Sequence, residues 1–188
     1  DKEIKCVISN IADAKGLIIA KEYNIPTLVI PHNQYNNREE FEQALIAAID
    51  SDFPQLVVLA GFNRILTSNF VNHYQSKLIN IHPSLLPAFV GADAQNYAVN
   101  AHVKLSGATI HYVTDVLDNG PIIAQGVVPV LENDSRDDLS NRILLLEHIM
   151  YPFVIRKILL KQVYIKGAHV RVVKDEQDRE LLGKFSPF

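Results

Sequence analysis

The segment Leu78-Ile79-Asn80-Ile81-His82-Pro83 holds the residue types best suited to chemistry. Alternate residues of a strand point to the same side, so Asn80 and His82 share one face while Ile79 and Ile81 bury on the other. That places an amide hydrogen-bond donor beside a group that can carry a proton near neutral pH. Pro83 lacks a backbone donor and stops ladder pairing, which puts His82 at a strand end. Open α/β sheets bind ligands beyond the carboxyl ends of their strands. Taken alone, however, the pair reads first as a hydrogen-bonded couple filling a half-buried position.

Two further segments stand out. Thr114-Asp115-Val116-Leu117-Asp118-Asn119-Gly120-Pro121 follows an apolar run. Its Asp, Asn, Gly and Pro are ordinary turn formers, yet a carboxylate from this turn could orient an imidazole and favour its charged form. Ala60-Gly61-Phe62-Asn63-Arg64-Ile65-Leu66 leaves another apolar run, and a glycine there lets a ligand approach the backbone. Read blandly, it is a simple strand exit with Arg64 solvated. We expect all three segments to leave one sheet at the same edge, as ends of consecutive strands. The other histidines, at 32, 73, 102, 111, 148 and 169, form no i, i+4 pair with a third ligand nearby, so no metal site is expected. Ser84 lies outside any nucleophile elbow. Cys6 reads as a small buried hydrophobe.

The elements that must position these residues alternate short apolar runs with amphipathic segments, the pattern of β-α-β units and a mostly parallel twisted sheet with helices on both faces. Strands are expected at Ile4–Ser9, Thr27–Pro31, Leu56–Ala60, Lys77–His82, Ala108–Thr114 and Ile122–Val130. The uniformly apolar Leu56–Ala60 reads as a central strand covered on both faces. Asn10 is expected to cap a helix running to Tyr23, and Thr67 a short helix after it. Phe41, Ala44, Leu45 and Ala48 fall at i, i+3, i+4, i+7, one buried helical face. A loop and helix fill 84–105, a long helix runs from Asp137 to Leu160 with a bend at Pro152, and Val163–Val173 reads as a hairpin turning at Lys166-Gly167.

The chain has 188 residues, which implies about one domain. With 48% hydrophobic and 21% charged residues it is an ordinary globular mixture rather than a disordered one. A net charge of −3 offers no basic face for nucleic acid, and no apolar run approaches a membrane span. One cysteine excludes an intramolecular disulfide framework and fits a cytoplasmic, reducing setting. The eight glycines include no G-x-G, so the dinucleotide fingerprint and the P-loop are both absent.

Together, the runs LAGFNRIL, NIHPSLLPAF, SGATIHYVTDVLDNGPIIAQ and LEHIMYP resemble the folate-dependent glycinamide ribonucleotide formyltransferases of purine biosynthesis, in matching order from about residue 4 to residue 160. The resemblance implies a single Rossmann-like formyltransferase domain over 1–188, with Asn80, His82 and Asp118 as catalytic residues. It implies a pterin site walled by Asn63, Arg64, Ile65 and Leu66 and by Thr114, Asp115, Val116 and Leu117, with Asn80 and Asp118 touching the folate and Arg38 reaching it as well. Glu147 would hold the ribose hydroxyls of the nucleotide. The implied co-substrate is 10-formyltetrahydrofolate, without metal, and the implied assembly is a monomer or weak homodimer that binds small molecules and neither nucleic acid nor membrane. The family opens with a strand and a Gly/Ser/Asn-rich loop that binds the substrate phosphate at a helix N-terminus. These have no counterpart here, and we expect the sequence to be part of a longer molecule.

The implied reaction moves a formyl group from N10 of the folate to the primary amine of the nucleotide. Asn80 and a protonated His82 would donate to the tetrahedral oxyanion, and Asp118 would brace the ring and assist proton movement through water. These side chains are expected to face a solvent-filled cleft. Two rivals remain: a 10-formyltetrahydrofolate hydrolase, which the stretch from Leu86 to Val113 resembles almost as well, and a catalytically inactive binding protein on the same fold. The hydrolases carry a further N-terminal domain and lack the EHxxYP segment. A methionyl-tRNA formyltransferase would need a basic C-terminal domain that the short mixed-charge tail does not supply.

Overall fold

The computed structural model describes residues 3–166 and 169–173. They group into two units, one within Asp1–Gln55 and Leu66–Tyr74, the other within Leu56–Ile65 and Gln75–Phe188. In the first, β1 (Val7–Ser9) and β2 (Thr27–Val29) pair in parallel, with α1 (Lys15–Glu22) between them in sequence. Asn10 does not cap α1. The Ser9 hydroxyl takes the Ile11 N–H at 3.1 Å, and the Asn10 amide instead meets His32 Nδ1 at 2.9 Å. The helix therefore starts later, after Ala14, without a side-chain cap.

A 3₁₀ turn (His32–Gln34) leads to α2 (Arg38–Asp50), where the Asn37 side chain accepts from Glu40 N at 2.8 Å. Such a cap satisfies one of the four free N–H groups that open any helix. Phe41 and Leu45 are buried on the expected face. Glu42 is also buried, 3% exposed, because its carboxylate accepts the Thr67 N–H at 3.0 Å and the Thr67 hydroxyl. The same Thr67 oxygen caps α3 (Ser68–His73) by accepting from Phe70 N.

The second unit holds a four-stranded sheet in the order β3 (Val57–Leu59), β4 (Leu78–His82), β5 (Leu105–Tyr112), β6 (Ile122–Pro129). β3 runs parallel to β4, whereas β4–β5 and β5–β6 are antiparallel. Within this sheet β3 is an edge strand, paired with β4 alone, and Val58 is 38% exposed. The expectation of a central strand covered on both faces is corrected accordingly.

α4 (Ala94–Asn100) follows β4, and α5 (Arg136–Leu159) lies against β5 and β6. The Ser135–Asp138 capping box starts α5, and Pro152 is tolerated inside it at an exposed position. Ile79, Ile110, Leu139 and Ile143, each at most 1% exposed, form the centre of the core. Each such burial is worth about 1.5–3 kcal/mol relative to exposure. At Gly126, where β6 meets α5, a Cβ would lie 2.3 Å from Met150 Sδ, so a larger residue there would make the Met150 and Leu146 side chains shift. β7 (Val163–Lys166) and β8 (His169–Val172) pair antiparallel as the C-terminal hairpin. Gly167 of the expected turn and the tail after Lys174 lie outside the described residues. Among the described residues no helix is long and apolar enough to cross a membrane.

Candidate active site

The site grows from the register of two strands. Asn80 stands opposite His111, and His82 opposite Thr109. Directly opposite residues of an antiparallel pair project to the same face. One face of β4 and β5 therefore carries Asn80, His82, Thr109 and His111, while Ile79, Ile110 and Tyr112 enter the apolar core behind. The β5–β6 register shifts between Ile110 and His111, an irregularity of the kind that re-aims side chains.

Asp118 arrives by a route the sequence does not suggest. Because β5 is antiparallel to β4, its carboxyl end lies beside the amino end of β4, with Tyr112 opposite Ile79. The expectation that all three segments leave the sheet at one edge is thus wrong for this one; β3 and β4, being parallel, do end together. Residues 113–121 double back, closed by Tyr112 N donating to Pro121 O at 3.0 Å. Gly120 permits this, since a Cβ there would lie 1.7 Å from the Tyr112 carbonyl oxygen. Asp118 itself takes a left-handed φ of 50°, which Asp tolerates better than most residues.

The returned carboxylate sits between two imidazoles. Its Oδ2 lies 3.4 Å from His82 Nδ1 and its Oδ1 3.8 Å from His111 Nε2. Gly91 N donates to Oδ2 at 2.9 Å. His82 Nε2 donates to the Phe89 carbonyl at 2.9 Å, so both nitrogens of that ring face acceptors. The Phe89 contact also means that neither ring nitrogen is free for a ligand oxygen in this state.

His111, which the sequence offers only as one of several histidines, belongs to the same cluster. Its Nδ1–H donates to Tyr112 O at 2.9 Å, which leaves Nε2 to accept from the Asn80 amide at 3.4 Å. Burial pushes its pKa down, outweighing the Tyr112 carbonyl and the Asp118 charge, so this second ring is held neutral. The signal that could have found it is strand alternation with Thr109 plus the pairing register, and the register is not visible in one sequence.

The cluster is not a solvent-filled cleft. His82 is 6% exposed, and the Asp118 side chain 7%. The covering comes from residues 84–93, whose Phe89 and Gly91 backbone groups make the two bonds just described. Of the other residues singled out, Asn63, Arg64 and Ile65 lie past the carboxyl end of β3 and are exposed, while Leu66 and Arg38 belong to the first unit, Arg38 exposed at the start of α2. Thr114 Oγ1 donates to Val116 O at 3.2 Å, Asp115 is exposed, and Val116 and Leu117 present apolar side chains to solvent. Glu147 lies half-buried on α5, and burial pushes its carboxyl up to about 7. One turn on, the Tyr151 hydroxyl donates to Leu59 O at 2.7 Å and approaches Ile79 O at 3.2 Å, tying α5 to β3 and β4.

Comparison with known proteins identifies the family and the fold. The family model described as formyl transferase matches residues 1–155. The phosphoribosylglycinamide formyltransferase of Escherichia coli (strain K12) is 44% identical over 152 residues, spanning 81% of this chain and 72% of that protein. The crystal structure of glycinamide ribonucleotide transformylase 1 from Symbiobacterium toebii superimposes with a TM-score of 0.87 at 40% identity, covering 90% of this chain and 80% of that one. A formyltetrahydrofolate deformylase from Pseudomonas syringae pv. tomato gives 0.84 at 33% identity, covering 92% and 57%. The chain belongs to the formyl transferase family and has its fold, an α/β sheet flanked by helices with a C-terminal hairpin.

Proposed function

We propose that this chain transfers the formyl group of 10-formyltetrahydrofolate to the amine of glycinamide ribonucleotide, a step of purine biosynthesis. The observation that carries the reading is the Asp118 carboxylate held between His82 and His111, with the Asn80 amide beside them. Asn80 donates its N–H to the formyl oxygen as that oxygen gains negative charge, the situation in which a fixed donor is most effective. His82 supplies the second donor once its proton leaves the Phe89 carbonyl. Asp118 keeps the ring charged and oriented and passes a proton from the attacking amine toward the departing N10 through water. The new C–N bond forms to the amine, the old bond to N10 breaks, and one proton moves between the two nitrogens.

The exposed Val116 and Leu117 offer the apolar surface a pterin ring would lie against, with Thr114, Asp115, Asn63, Arg64 and Ile65 supplying backbone and polar contacts. Glu147 holds the ribose hydroxyls of the nucleotide. Its place on α5, one turn from the anchored Tyr151, supports a nucleotide acceptor over water, because the resemblance of this segment is to the glycinamide ribonucleotide branch.

The test is direct. The purified chain is mixed with both substrates, and formylated nucleotide and free formate are measured separately. Formylated nucleotide in step with folate consumption supports the reading. Formate release that ignores the nucleotide replaces it with hydrolysis, and binding of neither substrate replaces it with an inactive scaffold.

A further inference from the structure

Gln125 is the one polar side chain in β6, a strand otherwise reading Ile-Ile-Ala-Gly-Val-Val-Pro. It stands opposite Thr109, which in turn stands opposite His82. Its amide nitrogen donates to Leu86 O at 2.9 Å and to Thr109 Oγ1 at 3.0 Å. Thr109 Oγ1 gives its own proton to Ser84 O at 2.7 Å and accepts the Leu86 N–H at 3.0 Å. The hydroxyl thus uses one proton and both lone pairs, and Leu86 has its N–H and its carbonyl both fixed. Thr109 and Ser84 are fully buried, where an unmade bond is expensive.

What this node fastens is the turn between His82 and its own acceptor. Ser84 Oγ closes the turn onto Ala88 O at 2.6 Å, and the next residue, Phe89, presents the carbonyl that receives the His82 Nε2 proton. Phe89 has a φ of 54°, a conformation a bulky side chain keeps only when its surroundings impose it. We infer that Gln125 is a positioning residue: through Leu86 and Thr109 it sets where the Phe89 carbonyl stands, and so the orientation of the His82 ring. The inference rests on the catalytic reading of His82 for its effect on rate, but not for its effect on the ring.

The experiment replaces the amide by an isosteric group without donors, Gln125→Met, in the whole chain. The unsubstituted protein is expected to show a downfield imidazole N–H resonance for His82, and the substitution to shift it upfield or lose it to exchange. With it, kcat falls roughly tenfold and KM for both substrates stays within about twofold, as for misplacement rather than lost binding. Should Gln125→Met fail to fold, Thr109→Val removes the same node from its other side and is expected to give the same two changes. A lower thermal midpoint with the His82 resonance unmoved and kcat per folded molecule unchanged makes Gln125 merely structural and overturns the inference. If the unsubstituted chain transfers no formyl group, the functional reading fails by itself, and the resonance still decides the role of Gln125.

Discussion

The two faces of the β4–β5 pair are equally buried and otherwise opposite. On one, Ile79, Ala108 and Ile110 are inaccessible and pack against Leu139 and Ile143 of α5. On the other, Thr109 and His111 are just as inaccessible, yet their side chains are held by hydrogen bonds to Ser84, Leu86, Gln125, Tyr112 and Asn80. Burial therefore does not separate scaffold from site in this protein. The separation lies in whether the contacts are exchangeable. Packing is lost outright when an atom is removed, whereas a hydrogen bond to Phe89 or Gly91 can be traded for one to a ligand.

Substitutions on either face should fail in different currencies. The largest effect is expected for Asn80→Ala, which removes a proposed oxyanion donor and should lower kcat roughly 10²–10³-fold in steady-state assays, with a far smaller change in thermal midpoint. Ile110→Ala should do the reverse, losing about 2–5 kcal/mol in denaturant unfolding while the fraction still folded turns over normally. Asp118→Asn keeps the shape and the bond from Gly91 but loses the charge. A drop in kcat of about tenfold or more is expected with the fold intact, and near-normal turnover would remove Asp118 from the mechanism.

The smallest expected effect concerns Glu147, whose carboxyl leaves the apolar side of the comparison only half-way. Its folded pKa of about 7 lies above its ordinary 4.5 because burial disfavours the charge. The folded protein thus holds this proton more tightly, and stability falls as pH rises from 4.5 toward 7. Glu147→Gln should match the parent near pH 4.5 and exceed it by about 1 kcal/mol above pH 7 in thermal unfolding. That figure is discounted for the half-exposed side chain. Equal stability across this range would mean that the carboxylate is better solvated than its position on α5 implies.

Much of this architecture is legible in the residues. The Phe41–Leu45 face of α2, the Thr67 cap and the shared face of Asn80 and His82 follow from periodicities and cap chemistry that depend on neighbours in sequence. Asn10 misleads because its side chain had a better partner 22 residues away in His32, a competition local propensity cannot rank. His111 and Gln125 gain their meaning from strand register, which is a property of the assembled sheet. Asp118 is the hardest case. Its Asp-Asn-Gly-Pro neighbourhood reads as a turn and is one, but the direction of the turn depends on β5 running against β4 and on a left-handed residue at the carboxylate itself.

The Phe89 carbonyl on His82 Nε2 sets a standard that any competing oxygen must beat. A passing water gives the ring no more than it already has, so idle solvent gains no foothold there. In the proposed mechanism, the formyl oxygen that gains charge as the amine attacks the formyl carbon offers more than a neutral peptide can, and exchange then becomes favourable. On that mechanism the ring is tuned to answer a change in its visitor's charge and to ignore mere occupancy.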